Sequence, residues 1–231
     1  MHSNFSDFEH KVGITFADKK LLRQAFLHRS YLNEHPDEES GHNERLEFLG
    51  DAVLELVVTD FLYKAYPDKT EGDLTVYRAA MVNTNSISDA AHALGMNDYL
   101  LLSKGEAKDT GKSRSYILAN TFEAFIGAVY LDRGYDAAQA FIARMLFDKV
   151  DAIVKGRLWQ DDKSRFQEKA QEVRGITPAY RVLKEDGPDH DKTFTVGVFL
   201  NEEQFGEGNG HSKQDAEQHA AHDALAKTGW K

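Results

Sequence analysis

The chain has 231 residues, is 41% hydrophobic and 29% charged, and carries a formal net charge of 28 − 38 = −10. These values exclude a disordered chain and allow one large or two modest globular domains. Without cysteine, disulfides and thiolate metal sites are excluded, and a reducing cytoplasm is favoured. Net acidity argues against nucleic-acid binding, but a local cluster of Lys and Arg, helped by Mg²⁺, can still bind a polyanion.

The N-terminus lacks the basic start and apolar core of a signal peptide, and no apolar run approaches the length of a membrane span. We therefore expect a cytoplasmic protein without a membrane partner. From residue 5 to residue 155 the periodicity is helical and predicts an all-α domain. Its candidate helices are Lys19–Phe26, Glu44–Tyr66, Glu71–Leu94, Ser115–Arg133 and Ala137–Val154.

Residues 156–161 are polar, show little periodicity and are predicted to be a linker. Residues 162–229 then change character and predict a small α+β domain of order α-β-β-β-α. Its predicted elements are a helix at Ser164–Val173, strands at Ala179–Lys184, Phe194–Asn201 and about Gln204–Glu207, and a helix from Ser212. Phe166, Ala170 and Val173 share one face of the first helix.

The helix predicted from Glu44 places three acidic residues, Glu44, Glu47 and Asp51, on one face, because their spacing is three and four. Like charges on one stripe repel unless solvent or a cation compensates them. The apolar residues Leu46, Leu49, Val53 and Leu56 lie nearly opposite. A solvated acidic face and a cation site both explain this pattern.

A second segment, 117–131, is apolar nearly all round and predicts a buried helix. Glu123 lies in its middle, with Asn120 one turn earlier on the same face. A buried carboxylate needs a partner. If Glu123 faces the acidic stripe, the cluster has the hard oxygen ligands that suit Mg²⁺ or Mn²⁺. The alternative is a salt bridge from Glu123 to Arg45 or Arg78.

Three motifs together resemble the ribonuclease III family. They are the run Asn43–Asp51 (NERLEFLGD), the run Leu21–Tyr31 (LLRQAFLHRSY) and Glu71–Leu74 (EGDL), supported by segment 117–131. The resemblance implies a divalent-metal site at Glu47, Asp51, Asn120 and Glu123, with Asp51 and Glu123 most critical to hydrolysis. Glu44 and Glu71 resemble the family's secondary acidic pair.

One position departs from the family pattern, which usually has Asp where this chain has Asn120. An amide oxygen still ligates Mg²⁺ but contributes no charge, so weaker metal binding is expected. Alternatively, Asn120 orients a water bound to the metal. The resemblance also implies a homodimer, because two sites are needed to cut both strands. Phe48 resembles the interface aromatic, although a core position is an alternative.

The C-terminal segment resembles a double-stranded RNA-binding domain. Such domains read the A-form duplex through 2′-hydroxyl and phosphate contacts. The resemblance implies RNA contacts from the first helix, from the loop before the second strand and from the start of the last helix. The residues are Ser164, Gln167, Glu168, Gln171, His190, Lys192, Ser212 and Lys213. Alternatively, Ser164 and Gln167 cap their helix.

The glycine-rich run 206–210 is predicted to be a turn at the start of the last helix, where backbone N–H groups can face phosphate. Ser212 and Asp215 have the spacing of a capping box. Gln214 stands where related domains commonly carry a second lysine, so modest RNA affinity is expected. His211, His219 and His222 are expected to be solvated rather than metal ligands.

Together these features predict a metal-dependent endoribonuclease specific for double-stranded RNA, with no small-molecule cofactor. By the resemblance, its products carry 5′-phosphate and 3′-hydroxyl ends and a short 3′ overhang. Ribosomal precursor, messenger and small RNA are all candidate substrates. The alternative is an RNA-binding regulator that has lost cleavage, for which Asn120 is the sole support in the sequence.

Overall fold

The computed structural model describes residues 4–150, 162–188 and 192–230. The chain divides into two compact units, Met1–Trp159 and Gln160–Lys231. The first is helical and the second combines helices with a sheet, so the predicted fold class is confirmed. The predicted linker 156–161 lies outside the described residues. Of the helices in the described ranges, none has the length and hydropathy needed to cross a lipid bilayer.

The first unit is built from eight α-helices within the described residues. They are α1 (Phe5–Val12), α2 (Lys19–Ala25), α3 (Arg29–Leu32), α4 (Glu44–Ala65), α5 (Glu71–Val82), α6 (Thr84–Ala93), α7 (Lys112–Arg133) and α8 (Tyr135–Leu146). Helix α7 begins three residues before the predicted start. Helix α8 ends at Leu146 and continues as a 3₁₀ turn to Lys149. The remainder of the predicted Ala137–Val154 helix, beyond residue 150, lies outside the described residues.

The single helix predicted at Glu71–Leu94 is wrong, because the chain forms two helices that meet at Asn83. Asn83 has an extended backbone (φ −70°, ψ 159°), and its side chain accepts a hydrogen bond from the backbone N–H of Ser86. An Asn in this position caps the helix that follows. The apolar pattern continues through the break because both helices pack on the same core, with Met81 and Ile87 buried on either side.

Helices α4 and α7 form the centre of the first unit and approach each other at two glycines. A Cβ atom on Gly50 would lie 1.7 Å from the carbonyl oxygen of Glu123, and one on Gly127 would lie 2.2 Å from that of Leu46. No side chain fits there, so the two backbones are in direct contact. Phe122, Ile126 and Val129 are buried, which confirms the predicted buried helix.

The second unit is a three-stranded antiparallel sheet of order β1-β2-β3 with a helix before and after it. Its elements are α9 (Asp162–Arg174), β1 (Ala179–Asp186), β2 (Thr193–Leu200), β3 (Glu203–Gly210) and α10 (Lys213–Thr228). Phe166 and Ala170 pack with Val198 and Ala220 in its core. Of the three residues predicted to share one face of α9, Phe166 and Ala170 are buried, whereas Val173 is exposed.

The predicted glycine-rich turn is also wrong, because its glycines lie in strand β3. A Cβ atom on Gly206, Gly208 or Gly210 would come within 2.6 Å of the α10 backbone. These glycines therefore let strand and helix pack closely. One of the two hydrogen bonds of the predicted capping box is present: the Ser212 side chain accepts a hydrogen bond from the N–H of Asp215 at 3.1 Å.

We expect Gly50→Ala to destabilise the first unit by at least about 2 kcal/mol, because the added methyl group overlaps backbone that cannot rotate away. Thermal unfolding followed by circular dichroism measures the effect. Gly72→Ala is the matched control, since Gly72 is also helical but its added Cβ would meet no atom closer than 3.8 Å. If the two variants melt at the same temperature, the close contact of α4 and α7 at Gly50 contributes less to stability than we expect.

Candidate active site and RNA-binding surface

The contact between α4 and α7 brings together the residues predicted to bind metal. Glu47 and Asp51 lie on α4, on either side of Gly50, and Asn120 and Glu123 lie on α7. Burial, followed by the charges of Asp51 and Glu47, raises the pKa of Glu123, and the nearby Asn120 side chain offsets part of the rise that burial causes in the pKa of Glu47. These four side chains therefore form one cluster, which we call the acidic cluster.

The acidic cluster carries unbalanced negative charge. Burial, followed by the charges of Asp51 and Glu47, raises the pKa of Glu123 to about 8. Burial also raises the pKa of Glu47, with added repulsion from Glu44 and Asp51. A carboxyl with a pKa near neutrality holds its proton unless a cation compensates the charge.

The alternative of a salt bridge to Glu123 is wrong. Arg78 instead contacts Glu55, with Nε 2.9 Å from Oε2, and Arg45 is exposed. Among the ion pairs of the described residues, none involves Glu123. The protein thus buries most of this carboxylate without supplying a positive side chain.

The donor set fits a hard divalent cation. Three carboxylates and one amide oxygen are the ligands that Mg²⁺ and Mn²⁺ prefer, and a bound cation would counter the repulsion that raises the pKa values of Glu47 and Glu123. Within the described part of the chain, no group of three or more His, Asp or Glu side chains lies close enough together to hold a metal ion by itself. Mg²⁺ is commonly bound through one or two carboxylates and retains several waters.

A cleft of about 910 Å³ opens beside the acidic cluster and contains Glu44, Glu47 and Asn120. Its other walls come from α3 and the residues that flank it, the residue before α4, the loop before α7 and α7 itself: His28, Arg29, Ser30, Asn33, Asn43, Glu106, Ser113, Tyr116 and Ile117. Glu44 lies 3.7 Å from Arg29 and 3.8 Å from His42. The cleft therefore offers hydrogen-bond donors and a cation next to the carboxylates.

Sequence reasoning missed the role of His28 and Ser30 in shaping this cleft. The Nδ1 atom of His28 accepts a hydrogen bond from the backbone N–H of Ser30. The hydroxyl of Ser30 in turn accepts one from the N–H of Ser103 at 3.1 Å. Burial lowers the pKa of His28, which keeps this ring neutral. The sequence signal that could have indicated this role is the presence of an imidazole and a hydroxyl, those of His28 and Ser30, within the run Leu21–Tyr31.

Glu71 lies apart from Glu44 within one chain. Glu44 lines the large cleft, whereas Glu71 lines a second cavity of about 390 Å³ with Thr59 and Tyr63, near the other end of α4. At 1.5 Å per residue, Glu44 and Thr59 are separated by roughly 20 Å along the helix. The single chain does not bring the proposed secondary acidic pair together.

An exposed apolar stripe runs along the outer face of α4. Phe48 is 82% exposed, Leu56 57% and Tyr63 72%. A core position for Phe48 is therefore wrong, and so is the expectation that Leu56 joins the buried face. Phe48 borders a cavity of about 630 Å³ that Leu21, Leu46, Leu49 and Leu131 also line. Contiguous exposed apolar surface is typical of interaction sites.

The predicted RNA-binding residues of α9 share one exposed helix face: Ser164, Gln167, Glu168 and Gln171. Because α9 begins at Asp162, neither Ser164 nor Gln167 is in the N-cap position. Gln171 donates a hydrogen bond from Nε2 to the hydroxyl of Thr177 at 2.7 Å. The face is therefore polar and accessible.

The predicted contacts at the other end of this unit are arranged around Lys213, the first residue of α10. Lys213 and Lys192 both lie near Glu185, and Ser212 caps the helix. His190 lies outside the described residues. His219 contacts the carbonyl of Asn209 and His222 contacts Asp162, so these rings have separate partners.

Comparison with known proteins agrees with both units. Residues 18–150 match the family model described as ribonuclease-III-like, and residues 163–228 match the double-stranded RNA binding motif. Proteins named Ribonuclease 3 are similar over nearly the whole chain. The one from Bacillus licheniformis is 47% identical over 224 residues, covering 96% of this chain and 89% of that protein. The one from Listeria monocytogenes serovar 1/2a is 44% identical over 227 residues, covering 97% and 98%.

Among solved structures, the nuclease domain of ribonuclease III from Campylobacter jejuni is similar, with a TM-score of 0.57 and 39% identity. It covers 63% of this chain and 97% of that domain, and its description concerns a flexible region involved in dimer formation. The family models and the relatives cover the acidic cluster and the RNA-binding unit alike. The chain therefore belongs to the ribonuclease III family and is a double-stranded RNA-specific endoribonuclease.

Proposed function

We propose that this protein hydrolyses phosphodiester bonds of double-stranded RNA at the acidic cluster with Mg²⁺, for which Mn²⁺ can substitute. The products carry 5′-phosphate and 3′-hydroxyl ends with a short 3′ overhang. Ribosomal precursor, messenger and small RNA are the candidate substrates, processed in the cytoplasm. The observation that carries this proposal is the close contact of α4 and α7 at Gly50 and Gly127, which leaves Glu47, Asp51 and Glu123 near enough to repel one another unless a cation is bound.

In this proposal Glu47, Asp51, Asn120 and Glu123 hold the metal. When bound, Mg²⁺ supplies an activated water and stabilises the charge of the in-line displacement. Asn120 lies close enough to Glu47 to offset part of the rise that burial causes in the pKa of that carboxyl, and its amide oxygen is the atom that would ligate the metal. Burial of Glu123 strengthens its attraction for a cation by lowering the local dielectric constant.

The second unit is proposed to bind the duplex through the exposed face of α9 and through Lys192, Ser212, Lys213 and His190. The polar side chains of α9 suit the minor groove, where 2′-hydroxyls are displayed. The lysines suit phosphates, and Ser212 and Lys213 stand at the start of α10, where the helix dipole favours anions. The second unit would then recognise the shape of the RNA duplex rather than its base sequence.

We expect Glu123→Gln to lower the cleavage rate at least about 100-fold while leaving the dissociation constant for duplex RNA within about twofold, because the variant loses a charged ligand but keeps the RNA-binding unit. Cleavage of a long perfectly paired RNA with and without Mg²⁺ measures the first effect, and binding in EDTA measures the second. Asp89→Asn, at an exposed position on α6, is the matched control.

Retained cleavage by the Glu123 variant would contradict the assignment, whereas loss of both cleavage and binding would indicate a misfolded variant. The same assay addresses the alternative of a regulator without cleavage activity, which only Asn120 favours. On our proposal, Asn120→Asp raises an activity that is already measurable in the parent protein. If the parent is inactive even at high Mg²⁺ or Mn²⁺ and the variant cleaves, the protein is a regulator.

Without metal, the stability of the first unit should fall as the pH rises from about 5 to 8. Glu123 has a pKa of about 8 in the folded protein against an ordinary 4.5, so the folded chain keeps a proton that the unfolded chain releases over this interval. The raised pKa of Glu47 acts in the same direction. Glu123→Gln should remove most of this fall, on the order of a few kcal/mol.

Melting temperatures of parent and variant in EDTA at both pH values test this expectation. Mg²⁺ should then stabilise the parent more at pH 8 than at pH 5, because the ligands must be deprotonated to bind it. An equal Mg²⁺ effect on the Glu123 variant would place the bound ion elsewhere.

We also propose that the apolar stripe of α4, which includes Phe48, forms the interface of a homodimer. Phe48→Glu should shift the protein from dimer to monomer in sedimentation velocity, because a charge replaces a side chain that is 82% exposed in the single chain. Val173→Glu removes an exposed apolar side chain from the other unit and should leave the dimer intact. An unchanged dimer in both variants contradicts this interface.

A further inference from the structure

One carboxylate lies beside both lysines that we propose to bind RNA phosphate. The Oε1 atom of Glu185 lies 3.3 Å from Nζ of Lys213, and Oε2 lies 3.5 Å from Nζ of Lys192. Lys192 directly precedes β2, whereas Lys213 begins α10. Glu185, near the end of β1, thus links two cations from separate parts of the chain.

The sheet fixes the position of Glu185 relative to Lys213. Glu185 is paired with Phe194 across β1 and β2, and Phe194 with Gly210 across β2 and β3. The Phe194 ring centroid lies 5.4 Å from Nζ of Lys213. A Cβ on Gly210 would come within 2.6 Å of the N atom of Ala216, so the start of α10 is held close to this row. Lys213 is therefore held between a ring and a carboxylate.

The Glu185 carboxylate has the chemistry of a phosphodiester group at this point. Each is an anion with two oxygens that accept hydrogen bonds from ammonium groups. The hydrogen bond from Lys213 holds the pKa of Glu185 below its ordinary value, so the carboxylate is charged at neutral pH. Its side chain is 40% exposed, so a phosphate can reach the lysines from solvent.

We infer that Glu185 competes with RNA for Lys213 and Lys192, because its carboxylate already contacts both of the ammonium groups that we propose to bind a backbone phosphate. This inference rests on the proposed function, in which both lysines contact RNA. Glu185 then lowers the affinity of the second unit for RNA. A phosphate that binds the lysines must displace the Glu185 carboxylate, and it stays close to that negative charge afterwards. Gln214, which supplies no second adjacent cation, acts in the same direction.

Glu185→Gln should tighten duplex RNA binding about three- to tenfold at low salt. Unit charges about 4 Å apart in water interact by about 1 kcal/mol, or about fivefold in affinity. The slope of log affinity against log salt should steepen by up to about 0.9, the value for one more neutralised phosphate. The assay is fluorescence anisotropy of the full-length protein with a labelled RNA duplex of about 20 base pairs, in EDTA, between about 50 and 250 mM KCl.

The matched control is Glu202→Gln, which removes the same charge from the same unit. A carboxylate oxygen of Glu202 lies 2.9 Å from the guanidinium group of Arg181, and we do not assign Arg181 to RNA binding. On our inference it changes the affinity by less than about twofold. If both variants tighten binding equally, overall charge explains the effect and the inference is wrong. If Glu185→Gln weakens binding, Glu185 instead holds the lysines in place, and the inference is again wrong.

Lys213→Ala separates this inference from the proposed function. If Lys213 contacts RNA, the variant weakens binding, and Glu185→Gln has a smaller effect in its background than alone. If Lys213→Ala weakens binding while Glu185→Gln changes nothing, the RNA-binding assignment stands and the competition is refuted. If Lys213→Ala has no effect, the assignment of Lys213 fails, and the inference fails with it.

Discussion

The close contact between α4 and α7 at Gly50 and Gly127 is the constraint on which the catalytic unit depends. With a Cβ at either glycine, the two helices would have to separate, and the carboxylates on α4 would move away from those on α7. The run that contains Glu47 and Asp51 therefore includes a glycine for a reason of packing. The same contact that completes the core of the unit also places like charges next to one another.

The acidic cluster lies beside a large hydrophobic core to which both α4 and α7 contribute buried residues. Burying Glu123 beside Asp51 and Glu47 costs free energy, which appears as the raised pKa of Glu123. An arginine could have relieved this repulsion, yet Arg78 is held by Glu55. Strain that the protein leaves uncompensated at one point is typical of a site that a ligand completes.

The elements that could be predicted from sequence were those with a strong period and clear end signals, such as α4, α7 and strand β2. The break at Asn83 could not be, because two helices packed on one core continue the same apolar pattern through the junction. Local composition favoured a turn at residues 206–210, whereas packing against α10 required small residues within a strand. The exposure of Phe48 depends on which face of α4 the other helices cover, and periodicity alone does not reveal that.

The pairing of charges within the second unit explains how a chain with a net charge of −10 can bind RNA. In the second unit, exposed cations are paired with carboxylates of the same unit: Arg181 with Glu202, and Lys213 and Lys192 with Glu185. Such exposed pairs contribute little to stability. They reduce the charge that a polyanion encounters, and they can be exchanged for phosphate at small cost. The carboxylates of these pairs act as internal counterions and thereby weaken RNA binding. Binding then depends more on the shape of the duplex, because few purely electrostatic contacts remain to hold an RNA whose grooves do not fit.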